Sequence, residues 1–196
     1  EHGQQYVALS PKDFSEQIRQ SAVSQTTQLL PLLERMTDEV PSDLIWPLVD
    51  QKQIETKALE MVRQSQTNIL LSCWPQELDW IEQELLNAES RGVKFALVHF
   101  GKPTKKVGAT YHHPEEKTLY EEKGGRGLTL VTDSNTVLIV NFETTGGIDA
   151  SWSKNTAFVN VAEDYVKHDV YITKVTRFLE PEMRSRFGQQ YEKLRD

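Results

Sequence analysis

Apolar side chains recur along this chain with two different periods, and the changes between them mark its elements. After an opening stretch carrying Tyr6, Val7 and Leu9, the run Ser10-Pro11-Lys12-Asp13 has the form of a helix start, with Ser at the N-cap and Pro in the first turn. Phe14, Ile18, Ala22, Leu29, Leu32 or Leu33, and Met36 then follow at intervals of three or four, with Gln25 as the polar member of the same face. That is the seam of a coiled-coil-like helix, suited either to its own domain or to a second copy. Pro31 predicts a kink near Thr27.

Beyond this helix the period shifts repeatedly. Residues 44–49 read as a short strand, and Ile54, Ala58, Met61 and Val62 give a helix over 52–64. Residues 68–73 form a buried strand. A helix over 75–91 turns Leu78, Ile81, Leu85 and Ala88 inward and ends at Gly92, and 93–100 is a further strand. Such a β-α-β-α-β run predicts an α/β fold, a parallel or mixed sheet flanked by helices. The segment 101–127 is polar, rich in Gly and aperiodic, so it reads as one long functional loop. Strands over 128–132 and 136–142 make a hairpin across Asp133-Ser134-Asn135, and 148–152 is a last strand. A helix over 156–170 presents Phe158, Val161, Ala162 and Tyr165 on one face. A C-terminal helix over about 171–194 is interrupted near Pro181.

With 196 residues, 38% apolar and 26% charged, the chain can bury a real core. Its net charge of −7 and the lack of a basic stripe imply poor binding to DNA by this chain alone. The lone cysteine, Cys73, permits no disulfide within the chain and fits a reducing cytoplasm. No apolar run approaches the roughly 18 residues that span a membrane, so no membrane partner is expected. The chain starts at Glu1 and not at Met, as expected of a piece of a longer protein.

Three passages together resemble the TrmB family of sugar-responsive transcriptional regulators. GQQYVALSPKDFSEQI looks like the junction where a winged helix passes into a long linker helix. NILLSCWPQEL with LNAESRGVKFALVHF resembles the family's strand-helix-strand core. GLTLVTDSNTVLIVNF with ASWSKNTAFVNVAEDYVKHDV resembles its hairpin, final strand and following helix. The resemblance implies a phospholipase D-like effector domain over 41–196, a dimerisation helix over 10–40, and a remnant of a wing over 1–9. It also implies a carbohydrate effector, a homodimer, and contact with DNA only through a winged helix outside this sequence.

Enzymes of the phospholipase D fold use His-x-Lys-x4-Asp, in which histidine is the nucleophile. Asp133 can take the aspartate position, but Arg126 and Leu128 stand where His and Lys belong, and no His-x-Lys occurs anywhere. The expectation is therefore a domain without catalysis and without a cofactor. The rivals are a divergent phosphodiesterase and a dimerisation domain that binds nothing. His112-His113 with Glu115 and Glu116 lacks a typical metal-ligand spacing, and Cys73 reads as a small buried hydrophobe.

Ligands of open α/β sheets sit beyond the carboxyl ends of strands. Those ends carry Ser72 and Trp74, His99 and Phe100, and Trp152, Ser153 and Asn155. With His113 from the long loop and Asp133 from the hairpin, they form the expected binding set. Trp74 and Trp152 would stack on sugar faces, and the polar groups would hydrogen-bond hydroxyls. Asn155 serves equally as a helix cap.

Overall fold

The structure, a computed structural model, describes residues 9–36, 44–101, 107–113, 120–189, 191 and 193. The stretch 1–8, with Tyr6 and Val7, lies outside these residues, as do Glu115 and Glu116. The chain divides into two compact units, 1–41 and 42–196.

The first unit is built on one helix, α1 (Pro11–Met36). Ser10 caps it: its hydroxyl oxygen accepts from the Asp13 backbone N–H at 3.1 Å. The helix runs on through Pro31, whose missing N–H leaves the Thr27 carbonyl without its helical donor. Phe14, Ile18, Leu29, Leu32 and Leu33 are each more than half exposed.

In the second unit, β1 (Ile45–Leu48), α2 (Gln51–Gln64), β2 (Asn68–Cys73), α3 (Pro75–Ser90), β3 (Lys94–His99), β4 (Ala109–His112), β5 (Gly125–Thr132), β6 (Thr136–Glu143), β7 (Ile148–Ser153), α4 (Thr156–Phe178) and α5 (Glu180–Phe187) follow in order. Seven strands form one mixed sheet in the order β1-β7-β6-β5-β2-β3-β4. β2, β3 and β4 run parallel, and the remaining neighbours pair antiparallel. Alternation along each strand feeds two cores. Ile69, Leu71, Leu97, Leu128, Leu130 and Leu138 pack with Ile54, Val62, Ile81 and Leu85 of α2 and α3. On the opposite face, Val98 and Phe100 meet Val166 and Val170 of α4, and Val131 and Val137 meet Val159 and Ala162. β2 lies mid-sheet and contributes to both cores, which explains its continuous apolar run.

Two expectations change. The segment 101–127 is not one loop: 109–112 is the edge strand β4, and β5 begins at Gly125. Gly125 can begin that strand because it sits at φ 157°, and a Cβ there would lie 2.0 Å from the Phe142 carbonyl oxygen. The C-terminal helix is also divided differently. α4 continues to Phe178, and α5 is a short separate helix. Among the described residues no helix is long and apolar enough to cross a membrane.

Candidate functional site

The α4 face of the sheet holds a cavity of about 480 Å³. Its floor comes from three neighbouring strands. Ser72 of β2 pairs in register with Thr129 of β5, and Gly127 of β5 pairs with Asn141 of β6. Its roof is one stripe of α4, formed by Phe158, Val161, Ala162 and Tyr165 at helical spacing. Trp74 and Phe100, just past the ends of β2 and β3, form an end wall, stacked with ring centroids 5.3 Å apart.

Polar groups gather at the mouth. Lys123 Nζ donates to the Tyr165 hydroxyl at 3.0 Å. The Trp74 ring meets Tyr120 edge-on at 5.5 Å, and the Phe100 ring tilts against His113 at 4.8 Å. His113 Nε2 in turn lies 3.8 Å from Asp169 Oδ1. Burial pushes the Asp169 carboxyl up to about 6, against the pull of Lys123, the Tyr165 hydroxyl and His168. A raised carboxyl favours the fold when protonated. Its contribution is complete below about pH 4 and is lost as pH rises through about 6. Asp169→Asn should therefore raise the unfolding free energy at pH 8 by up to roughly 3 kcal/mol. The gain should shrink toward zero near pH 4, which denaturant melts across that range would show.

The expected binding set does not converge on one cleft. Ser72, Trp74 and Phe100 line the cavity, and His113 backs Phe100. His99 is fully buried and shares the parity of Leu97, so it points toward α3; its Nδ1–H donates to the Gly101 carbonyl at 2.9 Å. Trp152, Ser153 and Asn155 lie at the far end of the sheet, because β7 runs antiparallel to β6 and hence against β2 and β3. Trp152 faces α2, where Lys57 Nζ sits 3.8 Å from its ring centroid and Trp46 stacks at 6.2 Å. The buried Ser153 hydroxyl donates to the Leu44 carbonyl, and the Asn155 side chain caps α4 by accepting from Phe158 N–H at 3.1 Å.

Asp133 is also at that far end, in the hairpin turn at φ 54°. Its carboxylate accepts from the backbone N–H groups of Gln66, Thr67 and Asn68 at 2.9, 2.7 and 3.1 Å. Burial opposes its charge, yet these donors outweigh it and hold the carboxyl below its ordinary range. Asp133 thus joins the hairpin to the entry of β2, a structural task.

Ten lining residues lie outside the expected set, among them Lys123, Thr129, Asn141, Phe158 and Tyr165. A signal existed for two of them. Strict alternation through 128–132 and 136–142 places Thr129 and Asn141 on a face otherwise taken by Val131, Val137 and Ile139, and a polar residue among apolar neighbours marks a lined cavity.

At the position where the phospholipase D motif requires histidine, Arg126 Nε donates to Glu77 Oε1 at 3.0 Å. Glu77 is 2% exposed, and its Oε2 has no hydrogen-bond partner among the described residues. Burial raises its carboxyl, and the guanidinium partly restores the charge. Cys73 is fully buried nearby, and burial first, then the Glu77 charge, pushes its thiol well up, away from the reactive thiolate.

No protein-family model matches the sequence, and no curated protein matches it. Among solved structures the chain is similar to an archaeal chromatin protein, to NucT and to a member of the phospholipase D family. One is TrmBL2, an archaeal chromatin protein whose structure shows a novel mode of DNA binding. It is 17% identical over 80% of this chain, with a TM-score of 0.46, and the match spans 64% of its own length. NucT from Helicobacter pylori is 11% identical over 65% of this chain and 94% of its own, with a TM-score of 0.45. Nuc from Salmonella typhimurium, a phospholipase D family member, is 14% identical over 64% of this chain and 91% of its own, with a TM-score of 0.45. At these identities no residue role passes from those proteins to this one.

Proposed function

We propose that this chain is the effector-sensing and dimerising portion of a TrmB-type transcriptional regulator, acting in the cytoplasm and without phosphodiesterase activity. The observation that carries the sensing role is the cavity between the sheet and α4. It is of ligand size, has mostly apolar walls, and contains a few convergent polar groups, as small-molecule sites do. The apolar seam of α1 supports the dimer. Arg126 supports the lack of catalysis, since a guanidinium engaged with Glu77 forms no phospho-intermediate. An effector would act by binding two arrangements of the dimer with different affinity, and could shift them by no more than that difference.

Gly127 supplies the test. A Cβ there would meet only the Val140 carbonyl oxygen, at 3.6 Å, so a side chain grows into the cavity with no backbone clash. A metabolite screen by thermal shift should find a ligand that, at a hundred times its dissociation constant, stabilises the protein by about 2.7 kcal/mol. Gly127→Val should fold normally and abolish that gain, while Trp152→Ala, on the opposite face, should leave it intact. If Gly127→Val binds the ligand as well as the unaltered protein does, the cavity is not the site. Hydrolysis of bis(p-nitrophenyl) phosphate that disappears in Asp133→Asn, with melting unchanged, would instead establish an enzyme.

A further inference from the structure

Most polar side chains of the cavity rise from its floor, beside Ile139 and Val140, and that placement constrains what fits. Ser72, Thr129 and Asn141 all rise from the floor. Ser72 is 3% exposed, and among the described residues none of these three side chains makes a hydrogen bond within the chain. The Ser72 hydroxyl therefore opens onto the cavity. The roof and end wall are mainly the hydrocarbon and ring surfaces of Phe158, Val161, Ala162, Trp74 and Phe100, with Tyr165 and Lys123 polar at the mouth. Opposite Asn141 the floor is bare, because Gly127 carries no side chain.

We infer that this cavity accepts a flat nitrogen heteroaromatic ring of the nucleobase type, held along one polar edge by Ser72, Thr129 and Asn141 and seated over Gly127. This rests on the cavity being the effector site. Three candidate chemistries differ in where their polar atoms lie. A saccharide carries hydroxyls around its whole perimeter, and the roof offers them only the Tyr165 hydroxyl, itself accepting from Lys123. An aliphatic carboxylate has its polar atoms at one end, so the row of floor groups would stay unpartnered along its length. A heteroaromatic ring has donors and acceptors spread along an edge and two apolar faces. Asn141 contributes both a donor and an acceptor, which is how an amide side chain pairs with an adenine edge. Cross-strand neighbours such as Ser72 and Thr129 stand about 5 Å apart, and diagonal ones such as Thr129 and Asn141 about 7–8 Å. The floor therefore spans the edge of a fused or substituted ring.

Isothermal titration of the full chain with adenine, guanine, uracil, glucose, maltose and octanoate tests this. At least one base should bind. Its affinity should fall about tenfold in Thr129→Val and in Asn141→Leu, each with ligand-free melting unchanged, and should vanish in Gly127→Val. A saccharide or octanoate that binds more tightly than every base, and is blocked by Gly127→Val, overturns the ring while leaving the cavity as the site. A base whose affinity is unaffected by Thr129→Val and Asn141→Leu overturns recognition by the floor. Failure of all six probes, or binding that survives Gly127→Val, overturns the inference together with the site beneath it.

Discussion

Arg126→Ala should lower the unfolding free energy by about 3 kcal/mol at pH 8, the low end of what removing one partner of a buried ion pair costs. Glu77 is 2% exposed, so the loss of Arg126, its one side-chain partner among the described residues, strands a carboxylate among Cys73 and the α3 core. The loss should be smaller at pH 5. Burial already raises the Glu77 carboxyl, and without the guanidinium it rises further, so acid neutralises the stranded charge. Arg126→Met combined with Glu77→Leu should recover most of the stability, because an apolar pair of similar volume carries no desolvation penalty. Denaturant unfolding of the three variants at both pH values is sufficient. A single-variant loss below about 0.5 kcal/mol, the range of ordinary surface changes, would mean that the pair contributes nothing to the fold.

Ile18→Glu together with Leu29→Glu should turn a homodimer into a folded monomer. Both side chains are more than half exposed on α1. In a symmetric dimer the change removes four apolar contacts, two per copy, each worth about 1.5–3 kcal/mol when fully buried. About 6 kcal/mol or more is roughly 10⁴-fold in the dimer constant. Sedimentation velocity should show the shift, with the circular dichroism of the α/β unit retained. An unaltered protein that is already monomeric at high micromolar concentration would refute the seam as an interface.

Much of the fold was legible in the sequence, and the reason lies in local periodicity. Ile54, Ala58, Met61 and Val62 specify α2 by spacing alone, and NILLSC specifies β2 to the residue. Asp133-Ser134-Asn135 specifies the hairpin, with Asp133 and Ser134 both at positive φ. β4 was not legible, because ATYH is too short to show a period and lies between segments without one. The expected binding set is dispersed for a different reason. Alternation tells which residues share a face, but strand direction is a property of the whole sheet. Trp152 was placed with Trp74 on the premise that both strands end at the same edge, and the reversed course of β7 separates them. Ser72, Trp74 and Phe100 do lie together, because β2 and β3 belong to a parallel β-α-β unit whose strands end at one edge.

The pairing of β1 with β7 has a consequence for how the chain comes off the ribosome. Ile45 meets Ser153, and Leu48 meets Ala150, so the first strand waits for the last before it has a partner. β2 can pair with β3 earlier, but its other edge waits for β5. Loop closures of this length slow folding and leave strand edges open meanwhile. The nascent chain carries one safeguard in β1 itself: Pro47 offers no N–H to a foreign strand, which limits wrongful pairing at the edge that stays open longest.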